Sequence, residues 1–511
     1  MAHMTVHGVM RIARGSWALV KQSRPRRGIG VAVFPVQLES GVLKLAFVFA
    51  LAGVALYGQA GGVANGNGTR QSTISSAAPD ASSQAGGGPG WNVHAQVTET
   101  LQGDPGFPAA YSGTNSLNSN GEIQQTLTSD LYLGVRLWSG GELHVDGLLW
   151  QGYGLSHTEG IEAFPNGDAY KLGTTIPHFM FAHLLIREAI GLGGKKERVS
   201  DGPLALASEQ DVSRLTLTIG RLSPTDMFDH NAYAQDAHTQ FSNWAMQTNL
   251  AWDFPSDSVG YTTGIAAELN QTNWTLRTGW FQTPGTKNGF TADDLALMFP
   301  RGGSSGKFFD SWGSAVEIER RYGSAARPGA IRLLSWMDKA DMIGYREAAA
   351  LLESSGPDAN LSPARAYRAK YGFGVNLEQR LAPHVGAFSR LGWNNGQAEG
   401  WMYTDANWTA SLGVSVSGAA WHRPNDSAGF AFAASGASAS AQQFLKAGGV
   451  DILDGDGTLT YGSEKVTEAY YSFPVGRNVY ATPDFEFVSN PAFNRSRGPV
   501  PVAGVRLHWQ F

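Results

Sequence analysis

Between Arg214 and Gly220 apolar and polar residues alternate without a break. Leu215, Leu217 and Ile219 fall on one side of an extended chain, and Arg214, Thr216, Thr218 and Gly220 on the other. The period returns after a long polar insertion. Tyr261, Thr263, Ile265, Ala267 and Leu269 oppose Thr262, Gly264, Ala266, Glu268 and Asn270. Past a turn at Gln271-Thr272, Trp274, Leu276, Thr278 and Trp280 oppose Thr275, Arg277, Gly279 and Phe281. A strand with one greasy and one wet face fits only two architectures, a soluble sandwich or a membrane barrel with an aqueous lumen.

The rest of the chain decides between them. Leu127, Leu131, Leu133, Val135 and Leu137 share a face opposite Thr128, Asp130, Tyr132, Arg136 and Trp138. Beyond Ser139-Gly140-Gly141, Leu143, Val145 and Leu149 oppose Glu142, His144, Asp146 and Trp150. Tyr371, Phe373, Val375 and Leu377 oppose Gly372, Gly374, Asn376 and Glu378, and Val385, Ala387, Leu391 and Trp393 oppose Gly386, Phe388, Arg390 and Gly392. The polar faces carry Arg, Glu, Asp and His, which a dry sandwich core does not accommodate. Aromatic residues close the apolar faces at strand ends (Trp274, Trp280, Tyr371, Trp393, Trp408), where a bilayer interface would lie. Charged residues make up only 16% of the chain, against about 25% in soluble domains. No run beyond Trp91 reaches the roughly 20 apolar residues of a membrane helix. The expected fold is therefore all-β: a transmembrane antiparallel up-and-down barrel over residues 91–511. At roughly 25 residues per strand and loop it has about 16 strands. Its last strand places Ala503, Val505, Leu507, Trp509 and Phe511 outside and Gly504, Arg506, His508 and Gln510 inside.

The N-terminal part reads differently. Residues 1–60 hold seven Lys/Arg and one acid ahead of the apolar run Leu45–Tyr57, followed by small residues. This is the order of a secretory signal with an extended basic region, the alternative being a short buried helix. Residues 61–90 are Gly/Ser-rich and form a low-complexity flexible leader. The remainder is more acidic than the chain's net −5, the reverse of a nucleic-acid binder.

Four stretches resemble the carbohydrate-selective porins, the OprB-like proteins. They are the run from Thr218 to Ala245 (TIGRLSPTDMFDHNAYAQDAHTQFSNWA), Trp421–Phe430 (WHRPNDSAGF), Tyr371–Gln379 followed by FSRLGWNNG, and Thr482–Val500. The resemblance extends from about Gly121 to Phe511. It implies a 16-stranded outer-membrane barrel in a Gram-negative bacterium through which mono- or small oligosaccharides diffuse. The last strand, with Phe511, resembles the C-terminal aromatic signal of bacterial outer-membrane barrels, which implies that the barrel assembly machinery reads it and that outer-membrane lipids surround the wall. Trp421 and Arg423 become site candidates through the family segment in which they stand.

Candidate substrate contacts follow from the inner face. Arg136, Arg277 and Arg390 are expected to pair, hairpin by hairpin, with Asp146, Glu268 and Glu378. Such pairs either brace the wall or present donors and acceptors to sugar hydroxyls. Trp138, Trp150, Phe281 and Phe388 point the same way and offer faces for a pyranose. Neither a cofactor nor a metal is called for. Asp226, Asp229, Asn231, Asp236 and Asn243 fit turn chemistry better than a ligand set. The run Asp451–Glu464 (DILDGDGTLTYGSE) carries Leu459 where a calcium loop starting at Asp454 needs Gly. GLGGKKE at 191–197 departs from a phosphate loop at two positions. The alternatives are a general porin, in which the same charges only set a field, and an outer-membrane barrel hydrolase. The hydrolase reading requires a nucleophile for His144 or His508. A plugged receptor would need more strands than this chain supplies.

Overall fold

The structure, a computed structural model, describes residues 90–169, 173–289 and 310–511. The expected signal over residues 1–60 and all of the leader except Gly90 lie outside the described residues. The first half contains β1 (Trp91–Asp104), β2 (Glu122–Trp138), β3 (Gly141–Gly152), β4 (Thr174–Gly191), β5 (Lys196–Val199), β6 (Ser208–Asp211), β7 (Arg214–Leu222), β8 (Thr262–Asn270) and β9 (Trp274–Gln282). The second half continues with β10 (Trp312–Ser324), β11 (Arg327–Ile343), β12 (Arg365–Ala382), β13 (Val385–Asn394) and β14 (Trp408–Ser417). It ends with β15 (Ser427–Gly436), β16 (Glu464–Gly476), β17 (Val479–Ser489) and β18 (Val500–Gln510).

Among the described residues, sixteen of these strands form one closed antiparallel barrel, and β5 and β6 form a small separate hairpin. Closure is made by β1 against β18, in register from Gln96 opposite Gln510 to Gly103 opposite Ala503. A closed ladder leaves no strand edge to be desolvated in lipid, so the only spanning segments needed are strands. No described helix is long and apolar enough to cross a membrane.

The alternation read from sequence becomes the two faces of the wall. Leu133, Leu276, Phe373, Leu412, Phe430 and Leu507 are exposed on the outside. Thr128, Asp146, Glu317, Asn376, Arg390 and His508 are buried on the inside. At one end five connections are tight turns, at 139–140, 271–273, 325–326, 383–384 and 477–478, and two are longer, 192–213 with the β5–β6 hairpin and 418–426. At the other end run longer connections, including 153–173, 223–261, 395–407 and 437–463. Short turns mark the periplasmic end of such barrels and long loops the extracellular end.

Three expected site residues are moved by local geometry. The β2–β3 register shifts between Arg136 and Trp138, so parity is lost at the turn. Trp138 consequently stands outside the barrel, 52% exposed, with its indole N–H donating to Glu188 Oε2 at 2.5 Å. Trp421 and Arg423 lie in the connection between β14 and β15 at the periplasmic end. There Trp421 donates to the Tyr471 hydroxyl at 3.3 Å, and Arg423, more than half exposed, meets Asp426 at 2.5 Å. Neither reaches the region described next.

Candidate functional site: a lumen narrowed by an inserted segment

The polar insertion of the sequence, residues 223–261, enters the barrel and docks on its inner wall. It is less polar than its Asp and Asn content suggests, because Phe228, Phe241, Trp252 and Phe254 are all buried. Phe228 meets Phe281 of β9 edge-on at 6.1 Å, and Phe241 meets Phe388 of β13 at 5.5 Å and Tyr470 of β16 at 5.0 Å. Glycines on the facing strands make room for it. A Cβ at Gly386 would collide with the Tyr233 ring, and one at Gly374 would lie 2.5 Å from Asn249 Nδ2.

Polar contacts fix its path around the lumen. Asp226 accepts from His183 of β4 at 2.9 Å, and the other ring nitrogen of His183 meets Asp146 of β3 at 2.9 Å. Three residues on, the Asp229 amide donates to Glu317 of β10 at 2.7 Å, and its carboxylate meets Arg390 of β13 at 3.0 Å. The amide of Ala232 donates to Glu378 of β12 at 2.7 Å. Arg506 of β18 donates to the carbonyls of Ala237 and Gln240 at 2.5 and 2.8 Å. The amides of Ser242 and Asn243 donate to Glu468 of β16 at 2.5 and 3.2 Å. Buried backbone groups that a free loop would give to water are thus satisfied by wall side chains.

Beside this segment a ladder of alternating charge runs along the inner wall from β8 to β12. Arg277 Nε donates to Glu268 at 2.7 Å, and its Nη1 to Glu317 at 2.8 Å and Glu319 at 3.1 Å. Arg332 Nε donates to Glu319 at 2.9 Å and its Nη1 lies 3.2 Å from Glu378. Glu268, Arg277 and Glu378 retain part of their surface toward the lumen, as do Asp226, Asp236 and His238 on the segment. His230 of the segment faces the same ladder: burial first, then the Arg332 guanidinium, lower its pKa to about 4. His238 behaves oppositely. Burial works against its charge, but Asp168 at 3.2 Å and Asp236 at 2.9 Å hold its pKa well above the ordinary value.

The sequence-derived candidates therefore separate. Arg277 and Glu268 pair as expected, because they face each other across one hairpin. Arg390 does not pair with Glu378. It is wholly buried and donates to Asp229 and to the carbonyls of Met246 and Ala234, both at 2.7 Å, while Glu378 takes Arg332. Arg136 meets Glu142 at 3.5 Å and the Ala207 carbonyl at 3.1 Å at the periplasmic end, and Asp146 belongs to His183 instead. Trp150, Phe281 and Phe388 point inward but are 3%, 0% and 2% exposed, covered by the loops and the inserted segment, so none presents a face to the lumen. His183, Glu317, Glu319 and Arg332 escaped the sequence reading. Glu317, Glu319 and Arg332 alternate in phase with their strands and could have been found by parity; His183 could not, because a bulge in β4 shifts its register.

A closed barrel with a lipid-compatible outer face, a charged inner face and a segment folded into its lumen is an outer-membrane porin. Residues 114–511 match the family described as carbohydrate-selective porin, OprB family, and the chain belongs to that family. It is accordingly a Gram-negative outer-membrane channel through which carbohydrates diffuse. Among solved structures, the high-pH structure of OprB from Pseudomonas putida aligns over 83% of this chain and 94% of its own, with a TM-score of 0.62 and 15% identity. The outer membrane channel DcaP of Acinetobacter baumannii aligns over 82% and 97%, with a TM-score of 0.44 and 8% identity. No curated protein matches the chain by sequence.

Proposed function

We propose that a glucose-like sugar is selected where the inserted segment narrows the lumen, at the part of the ladder Glu268–Arg277–Glu319–Arg332–Glu378 that the segment leaves open. The observation that carries this reading is the ladder itself. It is a wall of alternating guanidinium donors and carboxylate acceptors, nearly neutral in sum, whose buried Glu319 and Arg332 hold in place the groups open to the lumen, Glu268, Arg277 and Glu378. A neutral polyol exchanges water hydrogen bonds for these groups one by one, and an inorganic ion of either sign gains little. Contacts are weak enough for release, as flux down a gradient requires. Because Trp150, Phe281 and Phe388 are covered, those rings offer no stacking face, and selection at the ladder rests on hydrogen bonding.

Passage involves no bond-making step in this account. His144 meets Glu142 at 3.1 Å and His508 meets the buried hydroxyl of Thr98 at 2.8 Å, neither presented to a solute in the lumen. The maturation sequence inferred for the chain is removal of the signal over residues 1–60 and retention of 61–90 as a leader. Phe511, whose amide donates to the Ala95 carbonyl at 3.0 Å across the closing seam, would then be presented to the assembly machinery, with lipids on the outer wall. The reading as a general porin draws on one fact: every guanidinium nitrogen of Arg277 named above already has a carboxylate partner. Saturable block of ion current by glucose distinguishes the two. Glucose that reduces current only in proportion to its concentration favours the general porin.

A further inference from the structure

Three connections at the extracellular end converge on one buried point above the inserted segment. Glu162 comes from the connection between β3 and β4, Asp405 from that between β13 and β14, and Asp454 from that between β15 and β16. Their exposures are 0%, 3% and 0%, and one carboxylate oxygen from each lies within 4.8 Å of the others.

The carboxylates are aimed by the backbone. Glu162 Oε1 accepts from the amides of Asp405 at 3.1 Å and Ala406 at 2.8 Å and from the Thr404 hydroxyl at 2.5 Å. Asp405 Oδ2 accepts from the amides of Leu453 at 2.7 Å and Asp454 at 3.2 Å. Glu162 and Asp405 thus each spend one oxygen on orientation. The other oxygens, Glu162 Oε2 and Asp405 Oδ1, have no hydrogen-bond partner among the described residues, and neither does either oxygen of Asp454. Buried oxygens left bare beside one another are costly unless a cation takes them. The neighbouring lysines do not serve: Lys287 is held 3.2 Å from Glu399 and 3.3 Å from Asp451, and Lys370 lies 3.6 Å from Asp253. A second acidic group, Glu468, Asp484 and Glu486, differs in kind, because both oxygens of Glu468 already accept backbone amides.

The geometry points to a calcium-binding site formed by Glu162, Asp405 and Asp454, which clamps three extracellular loops over the segment that narrows the lumen. Oxygens on opposite sides of a calcium ion, each at about 2.4 Å, are about 4.8 Å apart, so three oxygens that lie within 4.8 Å of one another can share one ion. Magnesium binds at about 2.0–2.1 Å and keeps several waters, for which a fully buried site lined by four bare carboxylate oxygens offers little room. The run Asp451–Glu464 by itself lacks the Gly that a single calcium loop starting at Asp454 needs. The ligands here come from three connections, and only Asp454 belongs to that run. With no cation bound, burial and the mutual repulsion of the acids favour protons on the same oxygens, so calcium uptake releases protons.

The test uses the full mature barrel, folded in detergent. Calcium content after gel filtration, thermal unfolding with calcium or with chelator, and titration calorimetry in two buffers of different ionisation enthalpy are measured for the wild type and for Asp454→Asn. The expected result is one calcium per wild-type chain, proton release on binding, and an unfolding temperature several degrees lower in chelator. Asp454→Asn should bind calcium at least tenfold more weakly. In chelator it should be more stable than the wild type, because the wild type must either fold with three facing acids charged or take up protons to neutralise them. Should Asp454→Asn fail to fold, Asp405→Asn and the wild-type chelator shift carry the test. A wild type that holds no more calcium than the variant and unfolds at the same temperature in calcium and in chelator overturns the site, leaving a cluster that shares protons only.

Discussion

Arg390 on the barrel wall and Asp229 on the inserted segment meet at 3.0 Å, the arginine side chain wholly out of water. The same guanidinium binds the carbonyls of Met246 and Ala234, so one wall residue fastens three points of the segment. Removing one member of a buried pair costs about 3–5 kcal/mol, since the other charge is left unpaired. Arg390→Ala should therefore release the segment while leaving the strands paired. Single-channel conductance is expected to rise severalfold with loss of glucose block, against unchanged β-sheet circular dichroism.

Arg277 is a different arginine. It stands among Glu268, Glu317 and Glu319 and keeps part of its surface in the lumen. Arg277→Ala leaves three carboxylates without that guanidinium, so cation selectivity in a salt gradient should increase. The glucose concentration giving half block should rise several-fold, on the order of 1 kcal/mol for one or two hydrogen bonds. Lysine at this position should restore ion selectivity but only part of the block, because an ammonium lacks the planar fork.

His230 gives the channel an acid-sensitive element. Its pKa is lowered from 6.5 to about 4 by burial and by Arg332. A folded value below the unfolded one means that the neutral ring stabilises the docked state above pH 6.5, and that this contribution disappears as the pH falls through about 4. Between these limits roughly 1–3 kcal/mol is lost. His230→Gln should flatten this part of the stability profile between pH 7 and pH 4, as read by urea unfolding. An unchanged profile would place the acid sensitivity in the buried carboxylates instead.

Two candidates drawn from sequence are expected to be silent in transport. Trp138 lies on the outer face and Arg423 in a periplasmic connection. Trp138→Ala and Arg423→Ala should leave both conductance and glucose block within error of the wild type, whatever they do to folding yield.

The contrast between these residues and Arg277 shows what periodicity can carry. Wall strands obey a two-residue period, so facing was legible for Glu268, Arg277, Trp150 and Phe388. The Glu268–Arg277 pair was legible because a short turn sets its register. Trp138 failed because a shift of register at the turn undid parity. The Arg390–Asp229 pair spans 161 positions and depends on a segment folding back into the lumen, which no local pattern encodes. Two signals pointed toward that docking. Large aromatics in a segment barred from lipid had to find a surface, and glycines recur on the inner faces of β12 and β13, where that surface lies. The buried acids of the extracellular loops were illegible for the same reason, since each comes from a different connection.

Transient binding of sugar at the ladder, as proposed, leaves its signature in the ion current. Single-channel recording in a planar bilayer with glucose added stepwise at constant salt tests it most directly. Block should saturate with glucose concentration, and Arg277→Ala should raise the half-blocking concentration several-fold. Block that never saturates, or that saturates identically in wild type and Arg277→Ala, would contradict it.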